Sequence, residues 1–365
     1  REVLTDENRK YPLHEPSFQG NEWKYVKDCV DTGWVSSVGS YVDEFEKKIA
    51  DYTGTKFAIS LVNGTSALHL ALKVAGVSKD DEVIIPALSF IATANAVSYL
   101  GAFPHFVDSD EKNLGIDVEK LAYHLEQCAS INNGKLVNKL NGRRISAIVP
   151  MHTFGHVANM DALLKLSKKY ELPLIEDASE AIGSYWKHQH SGTLGVMGVF
   201  SFNGNKTITA GGGGAIITND GNLANKIKHL STTAKIPHKW EYQHDAIGFN
   251  YRLPNINAAL GLAQLESLDH ILEKKRKLAE NYKNIFSELT NVRFIDEPEK
   301  SKSNFWLNTV LIQNVDERDR VLKETNDVGI LTRPCWQLLS KQKMFQGCFR
   351  SDLITSEILE KRLIN

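Results

Sequence analysis

One lysine, Lys206, lies between two short apolar stretches in residues 199–218, VFSFNGNKTITAGGGGAIIT. Four consecutive glycines, residues 211–214, follow it, and glycine allows both close backbone approach and positive φ. Ser201 precedes the lysine by five residues and offers a hydroxyl to an anion. This combination predicts a lysine that forms a Schiff base near a phosphate, as in enzymes that use pyridoxal phosphate (PLP). The segment alone is equally consistent with a lysine in a tight β-hairpin, because a short motif needs context.

The other common phosphate motif, the P-loop, does not fit this segment. In a P-loop the lysine follows the glycines and precedes a serine or threonine at the start of a helix. Here Lys206 precedes the glycines. Hydrolysis of nucleoside triphosphates is therefore disfavoured.

Three other places in the chain carry groups that a phosphorylated ring cofactor needs. Thr65 and Ser66 separate a predicted strand from an apolar helix, which indicates an anion site at the helix N-terminus or an ordinary Thr/Ser N-cap. Phe90 lies between a predicted strand and helix, where its ring either packs in the core or stacks on a ligand. Asp177 directly follows an apolar strand, where its carboxylate either caps a turn or pairs with a cation such as a pyridinium nitrogen.

The elements that position these residues alternate between strand and helix. Such alternation is typical of an α/β fold with a mostly parallel sheet, which binds ligands at the carboxyl ends of its strands. Residues 255–289 then form a long helical stretch, followed by a short α/β tail that includes a strand at 305–311. We therefore predict a large domain, residues 1–253, and a smaller C-terminal α/β domain, residues 254–365. The strands of the large domain are predicted at residues 56–62, 82–85, 104–107, 145–150 and 172–176.

Composition excludes several classes of partner. The chain has 365 residues with 43 basic and 44 acidic side chains, a balance that favours neither nucleic acid nor an anionic membrane. The four cysteines show no CxxC spacing, so we predict no metal site and a reducing compartment. No apolar run reaches the roughly 20 residues of a membrane span, and no signal peptide is recognised. We therefore expect a cytoplasmic protein.

Taken in order along the chain, these residues resemble the DegT/DnrJ/EryC1/StrS family of PLP-dependent sugar aminotransferases. The resemblance covers nearly all of the chain and looks closest to the LegC-type branch. It implies the aspartate aminotransferase-like fold, fold type I of PLP-dependent transferases. The stretches that carry it are EPSFQGNEWKYVKDCVDTGWVSSVGSYVDEFEKKIADYTG, VPMHTFGH, SFNGNKTITAGGGG and GFNYRLPNINAALG.

The resemblance implies a role for each matching position. Lys206 would bind the cofactor covalently and carry a proton between cofactor and sugar. Asp177 would bind the protonated ring nitrogen, and Phe90 would stack on the ring. A homodimer with active sites at the interface is implied as well, because the matching asparagine comes from the partner subunit. The phosphate ligands would be Thr65, Ser66, Ser201 and Asn250, the last of these acting across the interface.

Other positions are less defined by the resemblance. Glu180 departs from the family pattern, since many members carry Gln or His there, and a carboxylate near the phenolic oxygen of the cofactor requires a shared proton. Its role stays open, although it is counted among the cofactor contacts. Four further residues are candidate contacts to the sugar or the diphosphate, and a purely structural role is equally consistent with the sequence for each of them. These four are Trp34, His152, Arg252 and Arg333.

The implied reaction moves an amino group from L-glutamate to a nucleotide-linked keto-sugar. For the LegC-type branch the acceptor is C4 of a UDP-linked 2-acetamido-4-keto-6-deoxyhexose, in bacillosamine or legionaminic acid pathways. The alternatives are GDP-4-keto-6-deoxymannose, as in perosamine synthases, and a 3-ketosugar. Lys206 disfavours the sugar dehydratases of the same fold, which replace this lysine with histidine. A PLP-sensing regulator would need a DNA-binding arm and a basic patch, and neither is visible.

Overall fold

The structure is a computed structural model that describes residues 10–365. Strands and helices alternate through most of the chain, as the sequence predicts. The helices are α1 (Glu22–Thr32), α2 (Ser40–Thr53), α3 (Gly64–Val74), α4 (Ile91–Ser98), α5 (Val118–Cys128), α6 (Met160–Tyr170), α7 (Gly221–Ser231), α8 (Asn255–Glu266), α9 (Leu268–Ser287), α10 (Val315–Asp327) and α11 (Ile354–Arg362). The strands are β1 (Phe57–Leu61), β2 (Glu82–Pro86), β3 (Phe103–Val107), β4 (Ala129–Asn132), β5 (Lys135–Asn138), β6 (Ile145–Ile148), β7 (Ile175–Asp177), β8 (Tyr185–Trp186), β9 (Gln189–His190), β10 (Met197–Ser201), β11 (Gly214–Thr218), β12 (Val292–Phe294), β13 (Ser301–Lys302), β14 (Val310–Ile312) and β15 (Leu363–Ile364).

The central sheet is mostly parallel, which confirms the predicted fold class. A four-stranded part, β1-β11-β10-β7, joins a three-stranded part, β6-β2-β3, through parallel bridges from Ile148 to Leu174 and from Met151 to Asp177. Within this sheet β11 alone runs against its neighbours, because β1 and β10 both pair with it in antiparallel register. The carboxyl ends of β1, β7 and β10 therefore lie at one edge, together with the start of β11.

Apolar side chains between this sheet and its helices form the core. The strand residues from Ala58 to Leu61 are buried, as are those of α3 from Ala67 to Leu72. On α2, Phe45 and Ile49 are buried on the predicted face, and the Phe45 ring meets that of Phe202 edge-on at 5.2 Å. Phe202 directly follows β10, so this packing fixes the base of the segment that carries Lys206.

The C-terminal third differs from its predicted layout in two details. The predicted helix over residues 255–289 breaks at Ser267 into α8 and α9. The predicted strand over residues 305–311 is shortened to β14, because Phe305 has a φ of 47°, in the left-handed region. A three-stranded sheet, β12-β14-β15, carries α10 and α11 on this side of the molecule.

Helix α8 packs on α1 and α2 of the N-terminal region. Its residues Ala258 and Leu262 belong to the same buried cluster as Phe45, Ile49 and Phe202. The division at residues 253 and 254 stays a prediction. From this packing we propose that α8 belongs with the large domain and that the boundary lies further along the chain.

The length and composition of the helices bear on membrane insertion. Across residues 10–365, the longest helix is α9, with 20 residues. Its charged composition, LDHILEKKRKLAENYKNIFS, is unlike that of a membrane-spanning segment. None of the helices described for this chain is both long enough and apolar enough to cross a bilayer.

Candidate active site

Lys206 lies in the connection between β10 and β11, at the edge of the sheet where the strands β1, β7 and β10 end. The two strands pair from Gly198 with Ile217 to Ser201 with Gly214. The lysine side chain is 12% exposed, and its Nζ lies 3.1 Å from Glu180 Oε1. The same nitrogen lies 4.1 Å from the centre of the Trp306 ring, close enough for a cation–π contact. The lysine is thus held in a mostly buried pocket, as the apolar flanking strands predict.

Two of the four glycines have identifiable structural reasons. Gly211 has a φ of +74°, in the region that residues with a Cβ rarely adopt. At Gly214 a Cβ would come within 2.5 Å of the Asn63 carbonyl carbon and 2.7 Å of the Gly64 nitrogen. The start of β11 can therefore pass directly against the turn that precedes α3 only because residue 214 has no side chain.

Two serines, Ser201 and Ser179, lie beside the N-terminus of α3, where an anion site is predicted. A Cβ on Gly64 would lie 2.9 Å from Ser201 Cβ and 3.4 Å from Ser179 Oγ. The helix is capped by Asn63, whose Oδ1 accepts the Ser66 N–H at 2.8 Å. The predicted alternative, a Thr or Ser N-cap, is therefore wrong, and the hydroxyls of Thr65 and Ser66 are free of that role. Helix N-terminal N–H groups and neighbouring hydroxyls are typical phosphate ligands.

Asp177 ends β7 and is 3% exposed. Its Oδ2 accepts a hydrogen bond from the Thr93 hydroxyl at 2.7 Å, and its Oδ1 accepts from the Ser179 N–H at 3.2 Å. A buried carboxylate needs such donors to remain ionised. Phe90 precedes α4, one turn before Thr93, and is 46% exposed. Its ring is therefore outside the core and available to a ligand.

Glu180 pairs with the lysine and with the backbone. Its Oε1 accepts from Lys206 Nζ, and its Oε2 accepts from the Phe154 N–H at 2.9 Å. Phe154 has a φ of 56°, so its N–H points inward from a left-handed residue. Burial raises the pKa of the Glu180 carboxyl, and the nearby Lys206 ammonium opposes this shift. The geometry therefore holds the carboxyl group against the lysine, although burial opposes its charge.

A second lysine supports the ring beside Lys206. Lys275 Nζ donates to the Trp306 carbonyl at 3.0 Å and lies 3.2 Å from His14 Nδ1. Burial lowers the pKa of Lys275 to about 8. The Trp306 indole N–H in turn donates to the Asn205 carbonyl at 2.7 Å. Two hydrogen bonds thus hold Trp306 beside Lys206, one to its backbone carbonyl from Lys275 and one from its indole nitrogen to Asn205.

The structure removes His152 from the candidate substrate contacts. The side chain is fully buried, and its Nδ1 accepts the Ala158 N–H at 3.3 Å. Its Nε2 therefore carries the proton and donates to Glu176 at 2.9 Å. Glu176 also accepts three backbone N–H groups, from Gly192, Leu194 and Gly195. Both ring nitrogens are engaged, so His152 positions the strand ends rather than a sugar.

The other candidate contacts lie at the surface. Trp34 is 59% exposed, and its carbonyl accepts from Asn255 Nδ2 at 2.7 Å. The Arg252 guanidinium donates twice to Asn250 Oδ1, at 3.0 and 3.2 Å, and Asn250 is exposed. The Arg333 guanidinium donates to the Asn326 side chain and the Thr332 carbonyl, both in the C-terminal region. These contacts leave the predicted roles of Trp34, Arg252, Arg333 and Asn250 untested.

Three residues of the site carried too little local signal to be found from sequence. Thr93 is one of many threonines, and Trp306 lies 100 positions from Lys206. Ser179 had the clearest signal, because it lies within the Asp-Ala-Ser-Glu run that follows β7. Side chains that directly follow a strand at the ligand-binding edge are candidates by position alone.

The fold and these residues define a PLP-dependent transferase of fold type I, and the comparisons identify its family. The chain belongs to the DegT/DnrJ/EryC1/StrS aminotransferase family, whose model matches residues 16–365. It is 38% identical to the GDP-perosamine synthase of Escherichia coli O157:H7 over 95% of this chain and 90% of that protein. It is 41% identical to the GDP-perosamine synthase of Caulobacter vibrioides over 94% and 88%. A solved structure, that of Helicobacter pylori PseC, an aminotransferase involved in the biosynthesis of pseudoaminic acid, superimposes with a TM-score of 0.87 at 27% identity, covering 98% of this chain and 93% of that one.

The chain is therefore a PLP-dependent sugar aminotransferase, and the residues present fit that cofactor. The space beside Gly64 is bounded by hydroxyls and a helix N-terminus, which suit a phosphate. Asp177 offers a buried anion and Lys206 a mostly buried amine. The two expectations that this result confirms are the family and the cofactor. The LegC-type branch stays a prediction.

Proposed function

We propose that this chain transfers an amino group from L-glutamate to C4 of GDP-4-keto-6-deoxymannose, giving GDP-perosamine. The observation that carries this proposal is that two relatives, 38% and 41% identical over nearly the whole chain, are both named GDP-perosamine synthase. These names support the alternative substrate better than the UDP-linked acetamido sugar that was the first expectation. The UDP-sugar and the 3-ketosugar therefore become comparison substrates in the test.

The roles that we propose follow from the chemistry of each group. PLP, when bound, supplies an electron sink that makes an adjacent C–H bond acidic. Lys206 Nζ binds the cofactor and then carries a proton between the cofactor and the sugar carbon that receives the amino group. Asp177 presents its carboxylate to the ring nitrogen and keeps that nitrogen protonated. Glu180 Oε1 orients the Lys206 amine, and the Trp306 ring excludes water from one side of it.

The phosphate ligands follow from the cradle at α3. Thr65 and Ser66 offer backbone N–H groups and hydroxyls at the positive end of the helix. Ser201 and Ser179 add hydroxyls from the ends of β10 and β7. Phe90 offers an exposed ring face at the same edge of the sheet. A cytoplasmic location accords with nucleotide-sugar substrates, and it is part of the proposal.

The substrate test is a panel of keto-sugars under identical conditions. Purified protein with PLP and L-glutamate is offered GDP-4-keto-6-deoxymannose, the UDP-linked 2-acetamido-4-keto-6-deoxyhexose and a nucleotide-linked 3-ketosugar. The amino product is scored by mass spectrometry, and kcat/KM is compared among substrates. We expect the GDP-sugar to be preferred by at least tenfold. A preference for either other sugar would contradict the proposal while leaving the aminotransferase family intact.

We also propose a homodimer in which Asn250 of one subunit reaches the phosphate site of the other. Two features support this: Asn250 is exposed, and the segment before it carries exposed apolar side chains, including Trp240 and Ile247. Monomeric proteins seldom leave such clusters uncovered. Arg252 already occupies the Asn250 oxygen, so the amide N–H groups remain the donors for a phosphate.

Complementation between two inactive variants tests the shared site. Lys206→Ala and Asn250→Asp place their defects on opposite sides of the proposed interface, and the Asp sets a negative charge against the phosphate. In a heterodimer one site is then entirely wild type and the other carries both defects. Differently tagged chains are co-expressed, and the doubly tagged hybrid is purified and assayed. We expect roughly half of wild-type activity, whereas activity no higher than that of either parent places Asn250 outside the partner's site.

A further inference from the structure

A cluster of nitrogen and sulfur ligands lies away from the active site, between an edge strand and a helix. His105 is on β3, the last strand in the sheet order, and His124 and Cys128 are on α5. The two helix residues are four positions apart, so they share one face. One ligand atom from each of the three side chains lies within 4.8 Å of the others. We propose that His105, His124 and Cys128 form a zinc site that joins α5 to β3.

Hydrogen bonds to Glu82 prepare His105 as a ligand. The Glu82 carboxylate is fully buried and lies 2.9 Å from His105 Nδ1. It also accepts from the side-chain amides of Asn138, at 3.0 Å, and Asn141. Because a carboxylate accepts the proton-bearing nitrogen, His105 Nε2 is left with its lone pair. A carboxylate behind a metal-binding histidine is the usual arrangement around zinc.

His105 Nε2 faces His124 Nε2 at 2.8 Å. Without a metal, the His124 nitrogen donates its proton to the His105 lone pair. Two nitrogens bound to tetrahedral zinc at about 2.0–2.1 Å lie roughly 3.3 Å apart. Zinc binding therefore moves the two nitrogens apart by about half an ångström. It also requires Cys128 Sγ, which lies within 4.8 Å of them, to stand roughly 3.6 Å from each nitrogen. The half-buried His124 ring can make this shift, because it lines an open cavity of about 560 Å³ that also gives a metal ion a path from solvent.

The charges around the cluster suit a divalent cation. Metal ligands are neutral imidazole and thiolate, so zinc binding displaces the Cys128 thiol proton into solvent. His124 keeps one proton and changes tautomer, from Nε2–H to Nδ1–H. The Cys128 thiolate and the Glu82 carboxylate then balance the two positive charges of zinc.

Soft sulfur and borderline nitrogen ligands favour zinc over magnesium or calcium. With three protein ligands, the fourth position is left for water from the cavity, which Asp352 also lines. Structural zinc sites usually use four protein ligands, so this one is expected to bind less tightly. No local pattern indicates the cluster, because His105 and His124 are 19 positions apart and the cysteines show no CxxC spacing.

Metal stoichiometry of the PLP-loaded enzyme is the first test. The protein is equilibrated with zinc sulfate, dialysed and analysed by plasma mass spectrometry. We expect close to one zinc per chain, and background levels in Cys128→Ser and in His124→Phe. The phenylalanine keeps the stacking of this ring on Phe349, whose centre lies 5.7 Å away, so packing is preserved. Cys29→Ser, at a buried cysteine bonded to Asn255, is the control that retains zinc.

Cobalt provides a second readout that does not depend on activity and that reports the thiolate ligand directly in the wild type. The wild-type holoenzyme is loaded with Co²⁺ or with Zn²⁺, and one absorption spectrum is subtracted from the other to remove the PLP bands. We expect a thiolate-to-cobalt charge-transfer band and visible bands of tetrahedral geometry, both lost in Cys128→Ser. Zinc at background in the wild type, or zinc and cobalt signals unchanged in Cys128→Ser, would overturn the proposal.

Discussion

Two buried carboxylates, three residues apart after β7, face opposite situations. Asp177 and Glu180 are 3% and 2% exposed. The described hydrogen bonds to Asp177 come from a neutral hydroxyl and a backbone N–H, whereas Glu180 is bonded to the Lys206 ammonium. The same chemical group at the same depth therefore has two different partners. The neighbours, rather than the residue type, decide what each carboxylate can do.

The described hydrogen bonds of the Asp177 side chain include no cationic donor, whereas Glu180 is paired with Lys206. Asp177 accepts hydrogen bonds from donors that carry no charge, so its carboxyl group is positioned to bind the protonated ring nitrogen of PLP. Glu180 instead orients the amine that performs the proton transfer. This explains how a glutamate can stand where many family members carry an uncharged residue. A charged side chain at this depth is tolerated because the lysine lies 3.1 Å away.

The largest expected effect comes from the lysine that only one of the two carboxylates contacts. Lys206→Ala should abolish turnover, since alanine has no amine to bind the cofactor or to carry the proton. The measurement is the rate of amino-sugar formation with saturating glutamate. Lys226→Ala, at an exposed position on α7, serves as the matched control and should keep full activity. Near wild-type turnover in Lys206→Ala would contradict the assignment of the whole β10–β11 segment.

Asp177→Asn should give the next largest loss, about 10²–10³ in kcat. The amide is nearly isosteric and keeps an oxygen for the Thr93 hydroxyl, but it cannot hold a proton on the ring nitrogen. The variant should remain folded, which circular dichroism checks, and it should still take up PLP. Wild-type kcat in a folded Asp177→Asn variant would show that the two carboxylates do not differ as proposed.

The contrast between the two carboxylates was only partly accessible from sequence. Asp177 was found because an apolar strand directly precedes it, and strand ends gather at one edge of a parallel sheet. Lys206 and the glycines were found because their pattern is local. The partner of Glu180 could not be inferred, because Phe154 and Lys206 reach it only through the folded chain.

The errors have related causes. Histidine often contacts ligands, which makes His152 a candidate from its residue type. Its buried partner Glu176 lies beside it only because β6 and β7 are neighbours in the folded sheet. The predicted Thr/Ser cap of α3 is wrong because the helix begins at Gly64, and Asn63, two residues before Thr65, caps it by accepting the Ser66 N–H. The zinc-site residues carry no local signal, since contacts between a strand and a helix have no fixed spacing. His152 and the zinc-site residues therefore depend on tertiary contacts, whereas the cap is a local choice between neighbouring polar residues.

Glu180→Gln tests the other side of the comparison and should cost about tenfold in kcat, because the lysine loses a charged acceptor but keeps a neutral one.

The pH dependence of folding stability at Glu180 is more informative. Burial raises the Glu180 pKa above the ordinary 4.5, so the folded protein holds this proton more tightly than the unfolded chain. The stability from this group is present below pH 4.5 and is lost as pH rises through the folded-state pKa.

The measurement is urea unfolding of wild type and Glu180→Gln at several pH values, on cofactor-free protein because Lys206 is then unmodified. Glutamine does not titrate, so the free energy of unfolding of the wild type should fall relative to the variant as pH rises above 4.5. Asp177→Asn, measured in parallel, shows whether the effect belongs to Glu180. A difference between wild type and Glu180→Gln that does not change with pH would contradict the raised pKa.

The smallest expected effect concerns the hydroxyl that holds Asp177. Thr93→Val removes the donor at 2.7 Å from Asp177 Oδ2 while changing the side-chain shape little. A single hydrogen bond contributes about 1 kcal/mol net, which corresponds to about fivefold in kcat. Thr93→Ser keeps the hydroxyl and should restore most of the rate, which separates the hydrogen bond from the packing of this buried α4 side chain. If Thr93 merely packs, Val and Ser would both leave kcat unchanged. If it orients the anion, Val should weaken PLP binding as well, measured by fluorescence titration, while Asp177→Asn combined with Thr93→Val should lose little more than Asp177→Asn alone.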